Sequence, residues 1–111
     1  MSFVAGEQVR RRILAAVFAA IDDVNELLPP ELQLEKHPST AILGEGGSLD
    51  SMGFVNFVAG LETHIERELG HAVRLVETAA REPGERFRTV ESIVAHISHL
   101  VGDPPAYQRG S

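Results

Sequence analysis

Residues 47–62 read GSLDSMGFVNFVAGLE, and the chain continues with the same helical spacing as far as Leu69. Apolar side chains recur three and four residues apart, which predicts a helix over Ser51–Leu69 with Asp50 or Ser51 available to cap its free amides. Advancing each residue by about 100° gathers one apolar face, which we expect to lie in the core of a helical protein. The members of that face are Phe54, Phe57, Val58, Leu61 and Ile65.

A second stripe of the same helix lies beside Ser51. Small apolar groups edged with carboxylates, next to an exposed helix start, are typical of a surface on which another protein docks. The alternative is that the apolar part of the stripe only widens the core, because apolar helical stripes are usually packing surfaces. We interpret the stripe as a docking strip, and its members are Met52, Val55, Ala59, Glu62 and Glu66.

The chain before this helix predicts one more long helix and a long loop. Apolar residues step by three and four and predict a first helix over about Glu7–Leu28, which Pro29-Pro30 ends. A loop then runs to about Leu49. Loops of this length are often functional. Four apolar residues are expected to hold the loop against the core, namely Leu32, Leu34, Ile42 and Leu43.

The chain after Leu69 predicts a short helix over Val76–Arg81 and a final helix that begins after Thr89, a residue suited to capping. The fold class is therefore all-α, a small helical bundle of three main helices plus one short helix, with a long first loop. We expect one domain over residues 1–102. The polar residues 103–111 are expected to form a flexible C-terminal tail.

The composition restricts the chemistry and the partners. The chain has no cysteine, which excludes disulfides, thiolate metal sites and a cysteine nucleophile. Its 16 acidic residues against 10 lysines and arginines give a net charge of −6, which favours basic patches on other proteins over nucleic acid or anionic membranes. No apolar run is long enough to span a bilayer, and the first residues lack a secretion-signal pattern. We therefore expect a cytoplasmic monomer.

Residues 47–62 resemble the attachment motif of acyl and peptidyl carrier proteins, in which Asp-Ser-Leu heads the second helix and spaced hydrophobic residues and a Leu-Glu pair follow. Asp50-Ser51-Met52 and Leu61-Glu62 stand at those positions. The long first helix, the long first loop and the segment Phe87-Arg88-Thr89-Val90 before the last helix are similar to the family too. The resemblance implies an acyl-carrier-like bundle in which Ser51 carries a covalent 4′-phosphopantetheine from coenzyme A. It also implies that Asp50 helps the modifying transferase to recognise the site.

The function that the resemblance implies is that of a carrier and not of an enzyme. The chain is expected to be a stand-alone acyl or aminoacyl carrier protein that holds its cargo as a thioester on the phosphopantetheine arm. Its expected partners are a phosphopantetheinyl transferase, a loading ligase or acyltransferase, and a downstream biosynthetic enzyme. Elementary electrostatics agrees, because the unpaired amides and the dipole at a helix start favour a phosphate on Ser51. The arm would supply the thiol that the chain lacks.

The motif departs from the family pattern at three positions. Gly53 and Asn56 stand where many fatty-acid carriers have acidic residues, and Met52 stands in place of leucine. Because the surface near Ser51 is thus less acidic, we expect a specialised pathway and not general fatty-acid synthesis. Whether that pathway makes fatty acids, polyketides or nonribosomal peptides stays open. Gly53 and Gly60 also cost the helix about 1 kcal/mol each relative to alanine.

Other signals are weaker. His96 and His99 lie three residues apart, but two imidazoles without further ligands do not predict a metal site, and we expect both on a solvated helix surface. Ser51 lacks the Gly-x-Ser-x-Gly turn of serine hydrolases. Residues 44–47 lack the lysine of a phosphate-binding loop and are interpreted as slack around the serine. The serious rival is an unmodified adaptor of carrier-like fold, which the presence of both Asp50 and Ser51 disfavours.

Overall fold

A computed structural model describes residues 2–44, 46–47, 49–70 and 72–102 of the chain. In those ranges the helices are α1 (Ser2–Asn25), α2 (Ser51–Leu69), α3 (Val76–Arg81) and α4 (Val90–Gly102). Two 3₁₀ turns, Pro30–Leu32 and Gly84–Phe87, lie between them. The predicted small all-α bundle of three main helices plus one short helix is confirmed. The predicted tail, residues 103–111, lies outside the described residues.

None of the helices in the described ranges combines the length and the apolar character that crossing a bilayer requires. The described part of the chain also contains no strand, and its one element of sheet-like pairing is an isolated antiparallel bridge between Ala41 and Thr89. This bridge joins the long loop to the residue just before α4. It therefore links the two segments that flank the α2–α3 half of the molecule.

The bounds of α2 and α3 agree with their predictions, whereas α1 differs at both ends. It begins at Ser2 instead of Glu7 and ends at Asn25 instead of Leu28. The early end has two local causes. A residue before proline, here Leu28, disfavours helical backbone, and the Asn25 side chain binds the next segment: its amide donates to Leu34 O at 2.9 Å and its oxygen accepts from Leu34 N at 2.7 Å.

The core lies where α1, α2 and α4 face one another. The predicted core face of α2 is confirmed, because Phe54, Phe57, Val58, Leu61 and Ile65 are all buried. Opposite it lie apolar residues of α1 and α4, and the loops add Leu34, Ile42, Leu75 and Phe87. No polar or charged residue in the described ranges is fully buried. Burial of apolar surface is therefore the main source of stability.

The long loop is held against the core through three of the four predicted residues. Leu34 and Ile42 are buried and Leu43 is half-buried, as expected, while the prediction for Leu32 is wrong because that side chain is 42% exposed. The backbone of Ile42 donates to Arg88 O at 2.8 Å. A Cβ on Gly47 would lie 2.7 Å from Ile42 O. Gly47 is therefore close-packed and not slack, whereas a Cβ on Gly44 would meet nothing within 4 Å.

Two glycines provide a matched test of this packing. The nearest heavy atom to a Cβ on Gly60 would be a carboxylate oxygen of Asp23 at 4.0 Å, so alanine fits there. We expect Gly60→Ala to raise the free energy of unfolding by about 1 kcal/mol through helix propensity. Gly47→Ala should lower it by about 1–3 kcal/mol, the usual cost of overpacking. Urea denaturation measures both, and a destabilised Gly60→Ala would contradict the open space at that position.

Phe87 is the centre of a small aromatic cluster. Its ring is fully buried and packs edge-on against Phe54 and His96, with ring centroids 5.7 Å apart in each pair. The prediction that His96 lies on a solvated surface is therefore wrong, since the residue is half-buried, while His99 is exposed as predicted. Burial lowers the pKa of His96 below its ordinary value of 6.5, and Arg86 and then His99 lower it further by charge.

This shift predicts a pH dependence of stability. Because the folded state disfavours protonated His96, the unfolded chain takes up the proton first as the pH falls. The free energy of unfolding should decrease as the pH drops through 6.5, and this contribution should level off below the folded pKa of His96. Urea titrations at a series of pH values measure the slope. His96→Gln should reduce it, and an unchanged slope in that variant would contradict the assignment.

Candidate functional site

The candidate site begins at the N-terminus of α2. Asp50 is the cap residue in extended backbone, and its Oδ1 accepts a hydrogen bond from Gly53 N at 2.7 Å. Its carbonyl accepts from Phe54 N at 2.8 Å. Of the two predicted caps, Asp50 is therefore the one used. Ser51, the first residue of α2, is exposed, and its hydroxyl does not serve as the cap.

The structure gives a local reason for a glycine at position 53 that the sequence pattern did not show. A Cβ at this position would lie 3.1 Å from Asp50 Oδ1 and 3.5 Å from a methyl carbon of Leu49. A Cβ there would crowd the capping carboxylate and require it to shift by a few tenths of an ångström. The glycine that weakens the helix in the propensity scale thus makes room for the cap that begins it.

An apolar groove of about 240 Å³ opens beside Ser51, between the start of α2 and α3. Ser51, Phe54 and Val55 form the α2 wall, and the other lining residues are Leu43, Ala79, Ala80 and Pro83. The sequence pattern did not indicate that these four residues belong to the site. The small side chains of Ala79 and Ala80 leave room for the groove. No local sequence pattern, however, predicts that α3 folds back onto the start of α2.

The predicted docking strip divides between the groove and the open surface. Met52 is 73% exposed, so the alternative that it widens the core is wrong. Ala59 and Glu66 are exposed as well, and Val55 is half-buried in the groove wall. These four side chains are thus at least partly exposed to solvent. Their contact with a partner stays a prediction.

Glu62, the fifth residue of the strip, has a different environment. Its Oε2 accepts hydrogen bonds from the backbone amides of Leu75 and Val76, the latter at 2.8 Å, and the residue is half-buried. These amides belong to the first turn of α3, where intrahelical acceptors are missing. The interpretation of Glu62 as a solvent-facing docking carboxylate is therefore corrected. Glu62 joins α2 to α3 and holds one wall of the groove beside Ser51.

The opposite flank of α2 faces α1. There His64 Nε2 lies 2.7 Å from Asp23 Oδ2, with the histidine side chain largely covered. The pair connects the middle of α2 to the end of α1. Within the described ranges, no three His, Asp or Glu side chains gather closely enough to hold a metal ion.

Comparisons with family models, with curated proteins and with solved structures find no match for this chain. Its function is therefore inferred from the motif around Ser51 and from the geometry of the bundle.

Proposed function

We propose that this protein is an acyl or aminoacyl carrier that bears its cargo on a 4′-phosphopantetheine arm attached to Ser51. One observation carries the proposal: an exposed serine stands first in α2, directly after a capping aspartate, and beside an apolar groove in a four-helix bundle. The resemblance of residues 47–62 to the carrier attachment motif also supports it through the later positions of α2, including Leu61-Glu62.

The local chemistry suits the attachment. In the transfer, Ser51 Oγ forms a new ester bond to the phosphorus of coenzyme A that carries the pantetheine. The bond from that phosphorus to the bridging oxygen breaks, the adenosine bisphosphate leaves with the electron pair, and the hydroxyl proton passes to a base of the transferase. The resulting phosphodiester would sit by the free amides of the first turn, at the positive end of the α2 dipole. The negative charge of Asp50 disfavours the phosphodiester. A hydrogen bond from Gly53 N, however, fixes the Asp50 carboxylate in its capping position.

The chain itself would contribute position and not catalysis. The arm, when bound, supplies a thiol that carries the cargo as a thioester, a group that a chain without cysteine cannot provide. Ser51 fixes the origin of the arm at the rim of the groove, whose Val55, Ala79 and Ala80 offer apolar surface near that origin. Tethering raises the effective concentration of the cargo for any enzyme that docks on the carrier.

The proposed partners are a phosphopantetheinyl transferase, a loading ligase or acyltransferase, and a downstream biosynthetic enzyme, all in the cytoplasm. The net charge of −6 favours partners with basic contact surfaces. Met52, Val55, Ala59 and Glu66 form the part of the docking strip that a partner can reach. Met52, Gly53 and Asn56 favour a specialised pathway over general fatty-acid synthesis.

Intact-protein mass spectrometry tests the proposal. The purified chain is incubated with coenzyme A and a broad-specificity phosphopantetheinyl transferase, and its mass is compared with that of a sample without the transferase. We expect a gain of one phosphopantetheine group, located on the peptide that contains Ser51. A chain that is folded and gains no mass would contradict the carrier function and favour the unmodified adaptor.

A further inference from the structure

A second apolar surface lies on the flank of α2 that faces α1. Two adjoining hollows of about 70 and 190 Å³ follow the line between the end of α1 and the first turns of α2, and they share Val24, Leu27 and Asn56. We call this surface the α1–α2 groove. It runs from Gly60 at one end to Asp50 at the other. Its second end therefore adjoins the candidate attachment site from the side away from α3.

Two leucines of the groove are unusually exposed. Leu27 is 78% and Leu32 is 42% exposed, and they are two of the four large hydrophobic side chains that are exposed in the part of the chain that the structure describes. Such side chains are commonplace singly, whereas an exposed apolar patch with a polar rim marks a contact site. Both belong to the groove lining, together with the half-buried Leu28.

The backbone holds these leucines outward. Leu27 lies in the turn after α1, where its N–H donates to Val24 O at 3.0 Å, and Pro29-Pro30 follow. The two hydrogen bonds between Asn25 and Leu34 close this segment and bury Leu34 instead. A fixed turn thus presents Leu27 and Leu32 at the surface, which lowers the entropy cost of binding there.

The charges around the groove are acidic. The ionisable residues of the described lining are Asp50 and Asp23, whose Oδ2 lies 2.7 Å from His64 Nε2. The exposed Glu26 and Glu31 directly precede Leu27 and Leu32 in sequence. The nearby Lys36 is paired with Asp22 at 3.1 Å. An apolar strip with an acidic surround complements a contact surface of leucine-like side chains flanked by lysine or arginine. A second copy of this chain, with its charge of −6, does not meet that description.

We propose that the α1–α2 groove is a docking surface for a partner protein that presents a basic amphipathic helix. The apolar face of that helix would lie on Leu27 and Leu32, and its basic residues would meet the carboxylates around them. The surface differs from the docking strip of Met52, Val55, Ala59 and Glu66. Its binding does not require modification of Ser51, so it stands or falls separately from the carrier function.

Amide NMR on the isotopically labelled full chain tests this proposal with a defined probe, a short synthetic leucine–lysine peptide of amphipathic helical pattern. We expect the largest shift changes at Leu27, Leu32 and Asn56. Leu27→Gln should weaken binding about tenfold, as loss of a buried leucine contact does. Leu100→Gln is the matched control, because Leu100 is 47% exposed on α4 and should leave affinity unchanged. Ser51→Ala should bind like the wild type.

Three results would overturn the proposal. One is a set of shift changes centred on Val55 and Ala80 instead of the α1–α2 groove. Another is equal affinity in either of two comparisons, the wild type against Leu27→Gln or the lysine peptide against a leucine–glutamine peptide of the same pattern. The third is dimerisation of the chain in sedimentation equilibrium that Leu27→Gln abolishes, since the occupant would then be a second copy.

Discussion

Replacing Ser51 with alanine is expected to abolish the mass gain that the wild type shows with coenzyme A and a phosphopantetheinyl transferase. The reason is chemical, because the Oγ of this serine is the proposed nucleophile and acceptor of the phosphoryl group. The substitution should preserve the fold. Ser51 is exposed, Asp50 and not Ser51 caps the helix, and alanine has the higher helix propensity.

The matched control is Ser39→Ala, which removes another exposed serine hydroxyl, one that lies 2.8 Å from His37 Nδ1 in the long loop. This variant should gain the same mass as the wild type. Circular dichroism and thermal melts of both variants verify that loss of modification is not loss of structure. Equal modification of Ser51→Ala and the wild type would show that the arm is attached elsewhere and reject the assigned site.

The second large effect is expected at Glu62. Glu62→Ala removes the shared acceptor of the Leu75 and Val76 amides, and hydrogen bonds to a charged acceptor contribute about 1.5–3 kcal/mol each when their loss leaves a donor unpaired. Because both amides share one carboxylate oxygen, the two contributions do not add in full, and we expect a combined loss of about 2–3 kcal/mol in the stability of α3. Hydrogen exchange should report it at Ala79 and Glu82, whose amides donate to Leu75 O and Thr78 O. Their exchange should accelerate about 30-fold or more.

Glu66→Ala is the control for this effect. Glu66 lies one turn further along the same side of α2 and is exposed. Its removal should leave exchange in α3 unchanged, whereas equal effects of the two variants would contradict the structural role of Glu62.

The same two residues also decide which variant tests docking. Charge reversal at Glu62 would disturb the groove wall as well as the surface, so Glu66→Lys is the variant whose loading by a partner tests the docking strip alone.

The sequence by itself determined the features that depend on near neighbours. The bounds of α2 and α3, the buried face of α2 and the order of Asp50 and Ser51 all follow from spacing of three and four residues and from capping chemistry. The position of the proposed attachment residue belongs to this group. An exposed serine after a capping aspartate is a local property, which is why the sequence alone could predict this arrangement, while the attachment of an arm to Ser51 stays a proposal.

The tertiary structure decided what each surface residue faces. Glu62 and Val55 have similar places on a helical wheel, yet one caps α3 and the other lines a groove. Leu34 is buried and Leu32 is exposed, although both are loop leucines. The reason is physical: these outcomes depend on segments that meet only after the chain has folded. Periodicity records which side of a helix is apolar, but it carries no information about which distant amide, proline or leucine comes to lie against it.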